Sequence, residues 1–383
     1  MNNIGHRIFV IGAGFSVPAG LPTAAELYGL VKSRIESVHG TDTKFHRSLD
    51  EFIDYKQSTC NVTLTHDDVD LEEFMSFLDI EHYLWLEGSD TFSSQGNGAQ
   101  LLIKKFIGQI IHERTPVASS LPQEYIEFAQ NLKTTDVIIT LNYDVILERA
   151  LEFVGKPYRL FTHRFKSTHD YGGTIDDSKE EVVILKLHGS LDWFTNEDYL
   201  GSIAAFKKQN YHELPTDPIF NNNNKYAPTP LVDGPRTSDD PLEFVHRLSN
   251  LDLFYANFDP PGVPMILSPS HMKIVYANPF ISFWHGLGRS GGYNFGINII
   301  GFSLPEHDDY LRVCLYKMIK NYQCFQWNFT LNGVKKDNVK IVDYRVTDEA
   351  IEQLKQTYSF IDEQKSAYYL KGFSSDAVKF LFD

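Results

Sequence analysis

Six apolar runs punctuate this chain, and each stops abruptly in small or polar residues. Ile8 to Ile11 runs into Gly12-Ala13-Gly14 and Ser16, and Val137 to Thr140 into Leu141-Asn142-Tyr143-Asp144. Val182 to Leu187 meets His188-Gly189-Ser190, and Met265 to Leu267 meets Ser268-Pro269-Ser270. Ile297 to Ile300 ends in Gly301-Phe302-Ser303, and Val339 to Val342 in Asp343-Tyr344. Unbroken runs of this kind fit strands buried on both faces, as in parallel sheets. Ligands of open parallel sheets bind beyond the carboxyl ends of the strands. Here those ends repeatedly carry residues capable of chemistry.

Between the runs the period changes to that of a helix. Thr23 and Glu26 form a capping box, in which each side chain serves the other's backbone amide, and Leu27, Leu30, Val31 and Ile35 then share a face. Residues 70–86 repeat the pattern at Leu71, Phe74, Met75 and Leu78, and residues 101–112 and 125–132 continue it. The spacing therefore predicts a helical insertion over 36–130, and further helices over 143–154 and 308–321. Residues 196–262, with Asn221 to Asn224 and several prolines, read as long loops with scattered short elements. Beyond Thr347, Ile351, Leu354, Tyr358 and Ile361 predict a helical C-terminal tail, 346–383. The fold expected is α/β: a Rossmann-like open, mostly parallel sheet over 1–345, with helices on both faces.

Composition narrows the picture. At 383 residues, 42% hydrophobic and 14% aromatic, the chain suffices for one large α/β core with insertions or for two domains. A net charge of −15 argues against a broad nucleic-acid-binding face. The three cysteines, Cys60, Cys314 and Cys324, are scattered, so no zinc ribbon or disulfide framework is expected. No apolar run approaches the roughly 20 residues that span a bilayer, and the apolar stretch after Arg7 makes a poor signal peptide. A soluble, cytoplasmic protein is expected.

Each motif has a plain alternative. Glycines after a strand let the backbone turn tightly and approach a pyrophosphate, yet Gly12-Ala13-Gly14 alone is also an ordinary tight turn. Val17 stands where the dinucleotide fingerprint needs a small residue, and Gly20 is followed by Leu21, unlike a phosphate loop. Gly288 to Gly292 matches GxSxG but precedes a strand, the wrong context for a nucleophile. His66-Asp67-Asp68 and His307-Asp308-Asp309 read as helix starts in preference to metal ligands. Asn142 and Asp144 place an amide and a carboxylate at a strand end, where helix capping is the alternative. His188 is a base or a ribose ligand, or else a core histidine bonded to backbone.

Taken in order, GAGFSVPAGLP, TLNYD, KLHGS and IGFSL resemble the sirtuin family. Gly20-Leu21-Pro22 stands for the family's Gly-Ile-Pro, Asn142 and Asp144 for its Asn and Asp, and His188-Gly189 for its catalytic His-Gly. Gly301 and Ser303 match the residues on the adenosine side. Two departures stand out. The four zinc-binding cysteines are missing, and Thr23 and Ala24 lie where an arginine usually meets the NAD. The chain thus looks less like a protein deacylase than like the sirtuin-like NAD hydrolases of bacterial anti-phage systems. Among these it is most similar to the subunit paired with a HerA-type ATPase.

The resemblance implies NAD as substrate, no metal, and release of nicotinamide and ADP-ribose, depleting NAD in abortive infection. Gly12, Ala13, Gly14, Ser16 and Pro22 would hold the dinucleotide, with Gly301 and Ser303 at the adenosine end. Asn142, Asp144 and His188 would carry the reaction. A homo-oligomer with no direct nucleic-acid contact is expected. The alternatives are a deacylase or ADP-ribosyltransferase, which needs an acceptor groove, a non-catalytic NAD or ADP-ribose sensor, and a nuclease component of an ATPase complex.

Overall fold

The computed structural model describes residues 6–383 apart from 87, 89, 92, 170, 171, 286, 288–290, 306, 307 and 332, and gives only the backbone of 24, 291 and 331. The chain divides into two compact units. The first comprises Met1–Leu21, Thr115–His188 and Phe280–Asp383, and the second Pro22–Arg114 and Gly189–Pro279.

The first unit is built on a seven-stranded sheet. Its strands are β1 (Arg7–Ile11), β2 (Val137–Thr140), β3 (Tyr158–Arg159), β4 (Val182–Lys186), β5 (Gly296–Ile300), β6 (Val339–Val342) and β7 (Ser366–Tyr369). They lie in the order β7-β6-β5-β1-β2-β4-β3, and every pairing is parallel. The apolar runs explain this, since β5 and β6 are buried at every position and β1 at all but Arg7. Consecutive side chains on β1 face opposite ways. Phe9 packs edge-on against Phe128 of helix Gln123–Asn131 and beside Phe382 of helix Ser375–Phe382. Val10 instead lines a small apolar cavity with Leu311, Leu315 and Met318 of helix Asp309–Cys324. Helices therefore cover both faces, as expected.

Strand order places β1 at the switch point of the sheet: the chain goes on to β2, β3 and β4 on one side and returns through β5, β6 and β7 on the other. The crevice outside the carboxyl ends at such a point is where open α/β sheets take ligands.

The second unit is helical, with Ala24–His39, Lys44–Cys60, Leu71–Leu84 and Gly98–Arg114 around a core that includes Phe45, Phe52, Phe74 and Phe106. A small antiparallel sheet joins Val245–Leu248 to Trp193–Thr195 and Pro228–Pro230. The polar centre of this second unit is Asp79 of helix Leu71–Leu84, fully buried, which accepts hydrogen bonds from Gln100, Ser268 and Ser270. Lys104, also buried, donates to the Gln95 carbonyl. Burial pushes the Asp79 carboxyl up against the pull of Lys104, and pushes the Lys104 ammonium down to about 8 despite Asp79.

Three expectations change. Residues 265–267 form no sheet strand; Ile266 makes a single bridge to Gly189. Ser268 and Ser270, expected at a strand's end, serve Asp79 instead. The region read as long loops with short elements holds helix Glu197–Lys208, which buries no side chain; acidic residues open it and Lys207 and Lys208 close it, matching the helix dipole. Without a buried stripe it left little apolar period to detect. The tail starts as the expected helix, Asp348–Thr357, but then contributes β7 to the sheet edge.

Candidate functional site

After β1 the chain makes two 3-10 turns, Ala13–Phe15 and Val17–Ala19, instead of a helix. This fits Val17 and Pro18, which deny a clean helix start. The Gly12 N–H donates to the Ile300 carbonyl at 3.0 Å, and the Gly14 N–H to the Gly301 carbonyl at 2.8 Å. The two turns touch backbone to backbone: a Cβ on Gly12 would stand 2.6 Å from the Gly301 oxygen, and one on Gly14 2.7 Å from the Gly301 Cα. Gly301 itself has φ +58°, and its Cβ would lie 2.4 Å from the Gly14 carbonyl carbon. The glycines thus weld the ends of β1 and β5. The Gly14 amide is engaged within the chain, while Ala13 is exposed.

Phe15 points into the core. The Tyr125 hydroxyl donates to its carbonyl at 2.6 Å, and the Tyr125, Phe128 and Phe373 rings surround its own. Burial, aided by the charge of Asp144, pushes the Tyr125 phenol up, so it remains a donor.

Ser16 is buried and ties the turn to the end of β2. Its hydroxyl donates to Asp144 Oδ2 at 2.7 Å and accepts from Asn142 Nδ2 at 3.0 Å. Asn142 Nδ2 also donates to the Gly12 carbonyl at 3.0 Å. A carbonyl can only accept, so Nδ2 faces the turn and Oδ1 is the amide's acceptor for other groups. Asp144 Oδ1 accepts from the Ile146 N–H at 3.0 Å, just ahead of helix Ile146–Phe153, whose N-cap is Val145. The expected helix start at 143 slips to Ile146 because these side chains shape a turn first.

His188 follows β4. β2 and β4 are neighbours with Thr140 opposite Lys186, so Asn142 and His188 each stand two residues beyond a register pair. His188 is buried, and its Nε2 is 2.9 Å from the Tyr310 hydroxyl. The Tyr310 ring lies 5.2 Å from that of Trp284.

Past β5 the Tyr358 hydroxyl donates to the Phe302 carbonyl at 2.6 Å, and Arg312 donates to the Leu304 carbonyl at 3.1 Å. Leu304 is buried at φ +49°, a left-handed conformation rare for a branched side chain. Ser303 between them is exposed.

The first unit therefore gathers Gly12, Ala13, Gly14, Ser16, Asn142, Asp144, His188, Gly301 and Ser303 at the carboxyl ends of four adjacent strands. Pro22 opens the second unit. Ser290 and His307 lie outside the described residues. Among the described residues no cluster of three or more His, Cys, Asp or Glu is placed to hold a metal, and no helix is long and apolar enough to cross a membrane. The hydrogen bonds of Tyr125, Tyr310 and Tyr358 escaped sequence reasoning; Tyr358 entered it only as a periodic position of the tail. Lys186, a charge inside the run Val182 to Leu187, was passed over as well.

Residues 136–227 match the family model described as SIR2-like domain, a span that includes Asn142, Asp144 and His188. Comparison with curated proteins gives no match. Similar solved structures include a mutant Sir2 homologue in complex with ADP ribose, 14% identical over 98% of this chain and 90% of that one, with a TM-score of 0.33. A sirtuin solved to explain substrate affinity is 11% identical over 98% and 92% of the two chains, with a TM-score of 0.32. A Sir2 protein bound to a propionylated peptide is 10% identical over 98% and 90%, with a TM-score of 0.31.

Proposed function

We propose that this chain hydrolyses the N-glycosidic bond of NAD to nicotinamide and ADP-ribose. The observation that carries the reading is the linked set Asn142, Ser16 and Asp144 at the sheet's switch point, with His188 at the matching position of the next strand. Nicotinamide leaves as a neutral ring, so its departure needs no strong acid. The protein must position water, exclude the bulk and stabilise an oxocarbenium-like ribose, and positioning alone supplies up to roughly 7–11 kcal/mol in favourable cases.

We assign the roles as follows. The glycine junction brings backbone close to the pyrophosphate, with Ala13 exposed on the turn. Asn142 Oδ1 accepts from the attacking water, its orientation held by Gly12 and Ser16. Asp144 holds Ser16. His188 bonds a ribose hydroxyl and relays a proton, and Ser303 meets the adenosine end. Unregulated NAD loss kills a cell, so the reading extends to abortive anti-phage defence, with a homo-oligomer gated by a HerA-type ATPase.

Purified protein incubated with NAD should release nicotinamide without an acyl-lysine acceptor. Asn142→Ala and His188→Ala should each lower turnover by about 100-fold or more. Full activity in both variants would refute the site. Phage plating with the chain alone, and with a co-encoded ATPase, tests the defence role; equal plating in its presence and absence removes that role.

A further inference from the structure

β4 reads Val-Val-Ile-Leu-Lys, and the lysine that closes it is buried. The Lys186 side chain is 1% exposed and that of Glu148 3%, with Nζ and Oε1 2.8 Å apart. Lys186 also donates to the Asp144 carbonyl. A buried ion pair is a weak source of stability, because desolvating two charges offsets their attraction and an apolar pair of similar volume does as well or better. The placement of this pair points to another use. Lys186 lies two residues before His188, and Glu148 sits in the first turn of the helix whose first amide, that of Ile146, donates to Asp144. Asp144 accepts from Lys186 through its carbonyl and from Ser16 through its carboxylate, and Ser16 accepts from Asn142. One connected chain, Glu148–Lys186–Asp144–Ser16–Asn142, thus joins the strand bearing His188 to the turn bearing Asn142.

We infer that Lys186 and Glu148 are a positioning pair that sets Asn142 against His188 for the chemical step. The inference rests on the NAD-hydrolase reading of this site. Neither residue need touch substrate, so the pair acts on kcat more than on KM. Removing one partner strands a buried charge, which unfolds proteins for reasons unrelated to positioning. The informative variant therefore replaces both, as Lys186→Met with Glu148→Leu.

The double variant should melt within a few degrees of wild type and bind ADP-ribose within about threefold, while kcat for NAD falls by about 30-fold or more and KM moves little. A kcat within threefold of wild type overturns the inference. If the double variant is insoluble, Lys186→Gln with Glu148→Gln, which removes both charges together and keeps a polar group at each position, should lower kcat by about tenfold; unchanged kcat overturns the inference equally. A wild-type protein inert toward NAD sinks the functional reading and not this one. In that case the Asn142 side-chain amide resonances decide: they should shift or broaden in the soluble variant, and unchanged resonances overturn the pairing.

Discussion

Gly301 has no room for a methyl group and no freedom to avoid one. Its φ is left-handed and its Cβ would overlap the Gly14 backbone. Gly301→Ala should therefore cost at least about 2 kcal/mol of stability, since neither strain nor overlap can relax through a side chain. Urea unfolding measures this, and an unchanged midpoint contradicts the junction. Ser16→Ala removes a donor to Asp144 and an acceptor for Asn142 inside the core. It should cost about 1–3 kcal/mol and lower NAD turnover by more than its stability loss explains. Asn142, Asp144 and His188 were legible because each follows an apolar strand within two to four residues. Tyr125 was not, because its partner Phe15 lies 110 residues away. No local pattern encodes such a bond.

At the scale of elements, helix Gly98–Arg114 carries a testable charge. Lys104 has a pKa of about 8 in the folded chain, below its unfolded value of about 10.4. Between those values the unfolded chain binds more protons, so this group makes stability rise with pH from about 8 to about 10.4. Asp79 runs the other way: its raised carboxyl stabilises the fold below its unfolded pKa, and that help is lost as pH climbs through the folded one. From pH 7.5 to 9.5, wild type should gain on the order of 1–2 kcal/mol relative to Lys104→Met. Equal slopes in paired denaturation curves would rule this out. Strands such as Val339–Val342 were readable because burial on both faces leaves an unbroken apolar run. β7, Ser366–Tyr369, was not: it is an edge strand, half-buried throughout, and its residues look like loop.

For the whole molecule, a net charge of −15 would confront the proposed substrate, NAD, whose pyrophosphate is anionic. Salt screens that repulsion, so kcat/KM for NAD should rise by up to about threefold between 20 and 200 mM salt, with kcat unchanged. A fall would point to a locally cationic approach. The division into units was not legible in sequence order, because the first unit is assembled from three separated stretches and only the folded contacts reveal it.

That assembly has a consequence during synthesis. The turn after β1 leans on Phe373, and the turn after β5 on Tyr358. A ribosome that stalls before these codons releases a polypeptide carrying Asn142 and His188 but neither brace. Unfinished translation products of this gene should therefore be harmless to the cell that makes them, and a version cut after Thr357 should leave its NAD pool intact.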